Sequence, residues 1–331
     1  MKNYRQIALI GGGFVLLLFT MLLAVSYSSI KPGQAIYISP YAAIDVFIKW
    51  LSGASFNITD KIAIFRLQRV FAAAISGMLL AIGGTLYQTT LMNPLVDPYL
   101  LGVSAGASLG AVIAYRFHLS GPVWLYAFVF AILSFAFSYV LGRGNRLKIV
   151  LSGVVISSLV SAGITLVLIM WNDSLHNILA WLMGSFAMAD GKKVLLQSIV
   201  LIFVFIVIVS THRVLDIMLI GDEVAHGVGV NVFVYRLIYL VLASLAAAFV
   251  AAFYGIVSFV GLMAPHLARL MVGDKHLSKL LLSMEIGAIL LVVGDFLSRG
   301  VMYPMEIPIG VFTSVVGGVF FLYLVVRGEW L

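Results

Sequence analysis

Apolar stretches long enough to cross a lipid bilayer recur along the whole chain. A transmembrane helix needs about 20 mostly apolar residues, and ten such windows lie at about 7–28, 70–91, 99–115, 123–141, 149–171, 194–210, 232–253, 255–272, 280–297 and 307–326. The chain is 63% apolar and only 10% charged, whereas a soluble domain carries about 25% charged residues. We therefore predict an all-α, polytopic membrane protein with about ten transmembrane helices, in a single domain that spans residues 1–331.

Basic residues near the apolar windows indicate how the helices are oriented. The first apolar run, Ile7–Val25, lies behind Lys2 and Arg5 as in a signal peptide, but it is longer than such a segment and we take it as the first span. If the N-terminus is inside the cell, the short loops Arg143–Lys148 and Arg269–Lys279 are cytoplasmic, in agreement with the positive-inside rule. An even number of spans then places both termini in the cytoplasm and the chain in the cell (inner) membrane.

Several classes of function are excluded by what the sequence lacks. There is no cysteine for disulfides or thiolate metal sites, and the scattered basic residues form no tract for nucleic acid. No His-x-x-x-His pair or neighbouring acid and base lie on one span, so we predict no catalytic residues and no enzyme activity. There is also no G-x-x-x-x-G-K-[ST] motif, so the chain has no ATP-binding P-loop of its own. If ATP drives transport, the motor is a separate chain.

A polar segment of about 20 residues, Thr211–Asn231, separates the sixth and seventh windows. Its polar and closing residues are His212, Arg213, Asp216, Asp222, Glu223, His226, Gly227 and Gly229. One interpretation is a solvated connector. The other is a short helix whose apolar residues Val224, Ala225 and Val228 fit a groove on a partner protein. The histidines and carboxylates lack the spacing of a zinc site, so we predict no metal centre.

The segment Asn93–Pro98 interrupts the apolar pattern between the second and third windows. Its sequence is Asn-Pro-Leu-Val-Asp-Pro, and two prolines four residues apart do not fit an ordinary helix. A tight turn between helices accounts for it, because Asn-Pro and Asp-Pro are common turn formers. A constriction that lines a pore also accounts for it, because irregular backbone at membrane depth persists only beside protein or water. Both descriptions can apply to one segment.

Charged residues also lie at the ends of the windows or inside them. Arg66 and Arg69 precede the second window, while Asp295 and Arg299 stand four residues apart at the end of the ninth. Snorkelling and a helical ion pair explain them structurally. If the three arginines are exposed on one face, they attract an acidic partner or substrate. Glu285 lies inside an apolar window, and an intramembrane carboxylate is a functional candidate.

Taken together, these motifs resemble the permease subunits of type II ABC importers, the group that takes up vitamin B12, haem and ferric siderophores. The resemblance covers nearly the whole chain. The matching elements are Arg66-x-x-Arg69, Gly77–Ala81, Gly84, Gln88, Asn93-Pro-Leu-x-x-Pro98, Leu101-Gly102, Gly106-Ala107, Trp181-x-x-Gly184-Ser185, Gly255-x-x-x-Phe259-Val-Gly-Leu-x-x-Pro265-His266-x-x-Arg269, Gly294-Asp295-x-x-x-Arg299 and Glu306-x-Pro308-x-Gly310. Each element alone is weak, but their order and spacing together are specific.

The resemblance implies an assembly as well as a fold. It implies ten helices per subunit, a homodimer with the pathway at its interface, two cytoplasmic ATPase subunits and an external or periplasmic binding protein. In such permeases, arginines at the positions of Arg66, Arg69 and Arg299 face glutamates of the binding protein. The loop at 211–231, centred on Asp222–Gly229, docks into the ATPase. Asn93 and Leu95 fall on the cytoplasmic gate.

Two positions depart from the family pattern. The family usually has a proline in the late Gly-x-Pro-x-Phe element, where this chain has Val319, and a second proline after Arg66, where this chain has Gln68. The first departure leaves the bend of the last helix open. The second lies between Arg66 and Arg69, where it can retune docking without removing a charge.

The sequence therefore favours the membrane subunit of an ATP-driven importer for a metal chelate such as a ferric siderophore, haem or cobalamin. No cofactor is expected, and the partners are a second copy, the ATPase, the binding protein and the lipid bilayer. The alternative is an ion-coupled secondary transporter with Glu285 or Asp295 as its protonatable site.

Overall fold

A computed structural model of the protein describes residues 2–27, 37–53, 57–170, 175–302 and 305–327, and these residues form thirteen helices. The helices are α1 (Lys2–Ser26), α2 (Pro40–Ser52), α3 (Ile58–Thr90), α4 (Val103–Arg116), α5 (Val123–Gly142), α6 (Arg146–Met170), α7 (Leu175–Leu182), α8 (Gly191–Ile220), α9 (Asp222–Gly227), α10 (Val232–Tyr254), α11 (Val260–Val272), α12 (His276–Gly300) and α13 (Ile309–Arg327). Outside the helices, Tyr27 and Tyr37 form an isolated antiparallel bridge.

The prediction of an all-α, polytopic membrane protein is confirmed. Among the described residues, seven helices are long and apolar enough to cross a membrane, namely α1, α3, α5, α6, α8, α10 and α12. The remaining three predicted windows fall on the shorter helices α4, α11 and α13. Helices α2 and α7 were not predicted, because 13 and 8 residues are too few to register as spans.

A glycine separates the seventh and eighth windows, which read as one apolar stretch in the sequence. Helix α10 ends at Tyr254, and Gly255 follows with a φ of 77°. Glycine enters this left-handed region without steric penalty, so the chain turns here and α11 begins at Val260. Pro265 lies inside α11 and does not end it.

Helix α3 is the centre of the bundle. Of its apolar window, 89% is buried, against 11% for the windows of α1 and α6. Gly77 faces the backbone of Gly287 on α12, and Gly84 faces the backbone of Gly261 on α11. Both contacts are so close that a Cβ on Gly77 or on Gly84 would overlap a carbonyl oxygen of the facing helix. Small residues allow such close helix contacts where lipid supplies no hydrophobic drive for association.

Helix α2 is fastened to the start of α3 by a lysine. Ser39 caps α2 by accepting a hydrogen bond from the Ala42 amide at 3.2 Å. Lys49 Nζ lies 2.7 Å from the Asp45 carboxylate and 3.3 Å from the Asp60 carboxylate of α3. The hydrogen bonds to these two carboxylates raise the pKa of Lys49, so it stays charged.

The close approach of α3 generates a stability prediction. We expect Gly84→Ala to lower the free energy of unfolding by about 1–3 kcal/mol, because the new methyl group forces two helix backbones apart. Gly163→Ala on α6 is the control, because a Cβ there meets no atom within 4 Å. Thermal unfolding in detergent measures both variants, and equal stabilities would show that the contact is unimportant.

Candidate functional site

Polar interactions join α3 and α12 at both ends of the pair. Arg69 of α3 contacts Asp295 of α12 near one end, and Thr89 of α3 contacts His276 of α12 at the other. Arg69 and Thr89 are separated by about 30 Å of helix, at 1.5 Å per residue. This is also the thickness of the hydrocarbon core of a bilayer. The two sets of polar groups therefore lie at opposite faces of the membrane.

The first set, which we term the arginine cluster, consists of Arg66, Arg69, Asp295, Arg299 and Glu306. The Arg69 guanidinium donates from Nε to Asp295 at 2.9 and 3.1 Å, and from Nη1 and Nη2 to Glu306 at 3.0 and 2.8 Å. Arg299 Nε lies 3.2 Å from Asp295 Oδ2, which confirms the predicted helical ion pair. Paired forks of this kind hold a guanidinium in one orientation.

The arginines gather on one part of the fold, but the condition that they are exposed is not met in the single chain. Arg66, Arg69 and Arg299 are only 5%, 2% and 6% exposed. Backbone carbonyls replace water as hydrogen-bond acceptors for two of them. Arg66 donates to the Val25 carbonyl and Arg299 to the Ala24 carbonyl, both at 3.3 Å. Buried charges persist only when they are paired and hydrogen-bonded in this way.

Glu306 is the member of the arginine cluster to which the sequence analysis assigned no role. Its side chain is 44% exposed while its carboxylate binds Arg69. In the sequence, Glu306 was marked only by its place in the Glu306-x-Pro308-x-Gly310 element. This element does not predict a contact with an arginine more than 200 residues away. Glu306 therefore gives the buried cluster a polar contact with the surface.

At the other end of the bundle, Asp222 anchors the short helix α9. Its two carboxylate oxygens accept hydrogen bonds from Arg146 at the start of α6 and from Arg236 of α10, the latter at 2.5 Å. Arg236 also donates to the Gly144 carbonyl at 3.4 Å. Asp222 thus joins three helices, and neither arginine was identified from the sequence. Helix α9 is held in a defined orientation as a result.

The predicted 211–231 segment is shorter than expected. Helix α8 continues to Ile220, so residues 211–220 are helical and only Gly221–Asn231 form the connector with α9. Leu215 and Met218 are buried on the continued helix, and their packing explains why its polar residues do not end it. A helix near the end of a bundle needs only one apolar face, which the average polarity of the segment concealed.

The surface of α9 offers several exposed groups. Glu223, His226, Gly227 and Gly229 are exposed, and Gly229 has a φ of 83° in the turn that leads to α10. The predicted apolar face is divided, because Ala225 is fully buried whereas Val224 and Val228 are exposed. The helix therefore presents two valines outward next to charged and small residues.

The segment with Asn93 and Leu95 forms a turn beside a large cavity. Asn93 Oδ1 accepts a hydrogen bond from the Leu95 amide at 2.9 Å, and both residues are exposed, as the turn interpretation predicted. The cavity has a volume of about 1160 Å³ and lies between α1, α3, α8, α11 and α12. Met92, Asn93 and Pro94 border it, so the turn lies at its wall.

This cavity is rich in basic groups. Its lining includes Arg213, Arg269, Lys275 and Lys279. Asp274 neutralises Arg269 at 2.8 Å. Cations on this end of the bundle agree with a cytoplasmic face under the positive-inside rule.

The two carboxylates of the alternative hypothesis are not placed as an ion-coupling pair. Asp295 is held by Arg69 and Arg299, as described above. Glu285 is buried where α12 meets α1, so close to Gly13 that a Cβ on this glycine would overlap its carboxylate. No cluster of three or more His, Asp or Glu residues with metal-binding geometry occurs in the described part of the chain.

The two departures from the family pattern have ordinary surroundings. The Gln68 amide lies near Gly191, at the start of α8, and so it points away from the arginines. Val319 is exposed on α13, which runs without a break from Ile309 to Arg327. The absence of a proline therefore leaves the described last helix continuous.

Comparisons with known proteins agree with this architecture. The FecCD transport family matches residues 14–327. The Fe(3+)-citrate import system permease protein YfmE of Bacillus subtilis (strain 168) is 33% identical over 316 residues, which cover 94% of this chain and 93% of that protein. The hemin transport system permease protein HmuU of Yersinia pestis is 35% identical over 273 residues, which cover 79% of this chain and 82% of that protein.

A solved structure shares the fold over almost the full length. It is an inward-facing conformation of a metal-chelate type ABC transporter, with a TM-score of 0.82 and 25% identity, and the match covers 97% of this chain and 99% of that chain. The resemblance drawn from the sequence motifs is confirmed. An ion-coupled secondary transporter is not supported.

The anchorage of α9 can be tested by hydrogen exchange. We expect Asp222→Asn to speed exchange of the α9 amides about tenfold, because an uncharged amide cannot hold Arg146 and Arg236 together. Glu223→Gln is the matched control, because the adjacent Glu223 is exposed and pairs with no cation of the described chain. Equal exchange in the two variants would mean that Asp222 does not anchor the helix.

Proposed function

Because the chain belongs to the FecCD transport family and is the membrane-spanning permease subunit of an ATP-binding-cassette importer, we propose that two copies of it form the pathway for a ferric chelate. The observation that carries the proposal is the family match over residues 14–327. The chain is a transport subunit and not an enzyme. Ferric citrate and haem are the proposed cargo classes, because similar permeases are named for them. Residues 1–331 act as one transmembrane domain in this proposal.

The α9 end of the bundle is proposed to face the cytoplasm and to bind the ATPase subunits. The chain carries no P-loop, so ATP hydrolysis takes place on another polypeptide. Helix α9 suits this contact because Asp222 fixes its orientation while Glu223, His226, Gly227 and Gly229 lie at or beside its exposed surface. A rigidly held helix transmits a displacement of the ATPase to α8 and α10. Both termini are cytoplasmic in this arrangement.

The pathway is proposed to run between the two copies, with Asn93 and Leu95 at its cytoplasmic gate. Support comes from α6, where the hydroxyl residues Ser158, Ser161 and Thr165 are exposed among mostly apolar residues, and Ser158 and Thr165 also donate to carbonyls of their own helix. They follow helical spacing, so they form one polar stripe. A stripe of this kind is better suited to a water-filled interface than to lipid. The exposed turn with Asn93 and Leu95 then closes the pathway at its inner end.

The arginine cluster is proposed to take part in docking of the external binding protein. Arg69 and Arg299 pair with Asp295 and Glu306, and Arg66 adds a third guanidinium group to this cluster. The buried arginines act through the electrostatic potential at the surface, because low-dielectric surroundings screen a charge less than water does. Acidic groups on the binding protein are the complementary partner.

Reconstituted transport tests the proposed function. The chain is placed in liposomes with its ATPase subunit, and ⁵⁵Fe-citrate or haem is supplied with the binding protein. We expect accumulation that requires ATP and stops when the ATPase is inactivated. Uptake driven by a proton gradient, with the chain as the sole protein in the vesicle, would contradict the proposal.

Neutralising one arginine tests the docking role. We expect Arg66→Gln to weaken association with the binding protein about fivefold at low salt, because the arginine cluster loses one positive charge while glutamine keeps a donor near the Val25 carbonyl. Lys61→Gln removes an exposed charge from the same helix and is the control. Binding is measured against ionic strength in nanodiscs. An unchanged affinity and salt dependence in Arg66→Gln would remove Arg66 from the docking role.

A further inference from the structure

A buried histidine joins three helices at the α9 end of the bundle. His276, the first residue of α12, is 1% exposed. Its Nδ1 lies 2.8 Å from Asp216 Oδ1 of α8, and the same oxygen accepts the His276 backbone N–H at 3.0 Å. Its Nε2 lies 2.9 Å from the hydroxyl of Thr89, which is 2% exposed near the end of α3. Both ring nitrogens are therefore bonded, each to a different helix.

The two ends of this hydrogen-bonded link reach the proposed moving parts. Asp216 precedes Asp222 by six residues and is separated from α9 by the last turn of α8. Thr89 precedes Asn93 by four residues, and the Thr89 carbonyl accepts the Met92 amide at 3.3 Å in the turn that leads to the gate. A displacement at α9 therefore reaches the gate turn through three side chains.

The ends of α8 and α3 are expected to move together because the His276 ring that connects them is buried. A polar group left unpaired in the interior costs more free energy than a hydrogen bond contributes. The His276 ring is 1% exposed with both partners in place, so breaking either hydrogen bond leaves a ring nitrogen unpaired until water enters from the cavity that Thr89 and Asp216 line. When the end of α8 shifts, the end of α3 is therefore drawn with it. Hydrogen-bond networks between packed helices are one physical means by which coupling between sites is carried.

We infer that His276 is a positioning residue that couples the ATPase-facing end of α8 to the gate turn at the end of α3, through hydrogen bonds to Asp216 and Thr89. The inference rests on the proposed function. It adds a specific mechanical link that none of the sequence motifs indicated.

Two adjacent threonines allow a matched test. Thr89→Val removes the hydroxyl that meets His276 and preserves side-chain shape. Thr90→Val removes a hydroxyl that is equally buried but bonds at 2.6 Å to the Leu86 carbonyl of its own helix. We expect Thr89→Val to lower ⁵⁵Fe-citrate uptake per ATP hydrolysed at least about fivefold, a typical coupling between sites. Its ATP hydrolysis is expected to stay within about twofold of the wild type, and Thr90→Val is expected to keep both values.

The opposite end of the link gives a second, independent variant. Asp216→Ala removes the carboxylate that His276 binds, from a side chain that is 43% exposed. Asp190→Ala is its control, because Asp190 caps the far end of α8 by accepting the Lys193 amide at 2.9 Å. We expect the uptake ratio to fall in Asp216→Ala only. In the double variant Asp216→Ala with Thr89→Val, we expect uptake per ATP hydrolysed to fall no further than in either single variant, because both substitutions break the same link.

A distance measured at the gate distinguishes a loss of coupling from a general loss of stability or assembly. The chain has no cysteine, so a spin label at Leu95→Cys reports the gate distance across the two copies. We expect ATP to change this distance with Thr90→Val in the background, but not with Thr89→Val.

The outcomes distinguish this inference from the function on which it rests. Equal uptake ratios in Asp216→Ala and Asp190→Ala, or an ATP-driven gate movement that persists with Thr89→Val, would overturn the link alone. A parallel loss of hydrolysis and uptake in the link variants would also overturn it, because that pattern means failed assembly. Wild-type complex that takes up no cargo with ATP would overturn the proposed function and the link with it.

Discussion

The close packing of α3 against α11 and α12 is the constraint on which the rest of the structure depends. Glycines at both contacts let backbones meet, which no larger residue permits at Gly77 or Gly84. The long central helix then holds the arginine cluster at one end and the His276 link at the other. Because helical rise is fixed, the distance between these two polar regions matches one bilayer thickness. Packing at the centre thereby sets the position of every functional group at the membrane faces.

Paired charges connect the helices at both ends of the bundle. Arg69 is enclosed by protein and binds two carboxylates from other parts of the chain, which removes the penalty of an isolated buried charge. Asp222 is partly exposed and binds two arginines, which connects α9 to the helices that carry them. Helix α9 is consequently held where it meets the bundle, while its residues Glu223, Val224 and His226 stay exposed. A transport subunit needs both properties in order to pass on a movement it does not generate.

The sequence predicted the helices well and their side-chain environments poorly. Ten apolar windows, the break at Gly255 and the turn at Asn93 are local properties, which periodicity and residue type reveal. The sequence did not show that the three arginines are buried or that residues 211–220 are helical, and both have the same reason. Arg69 and Glu306 lie 237 positions apart in the sequence and meet only in the folded chain, and Leu215 and Met218 are buried by packing against other parts of the bundle. Average polarity over a window does not contain this information.

The sequence by itself determined that this chain is a membrane protein and which family it belongs to. Those conclusions follow from the length of the apolar stretches and the order of the short elements. Only the tertiary structure decided which charges are neutralised, that Asp222 joins α6 to α10, and that His276 connects α8 to α3. The physical reason is that hydrogen bonds act over about 3 Å, and which distant residues come that close is decided by helix packing.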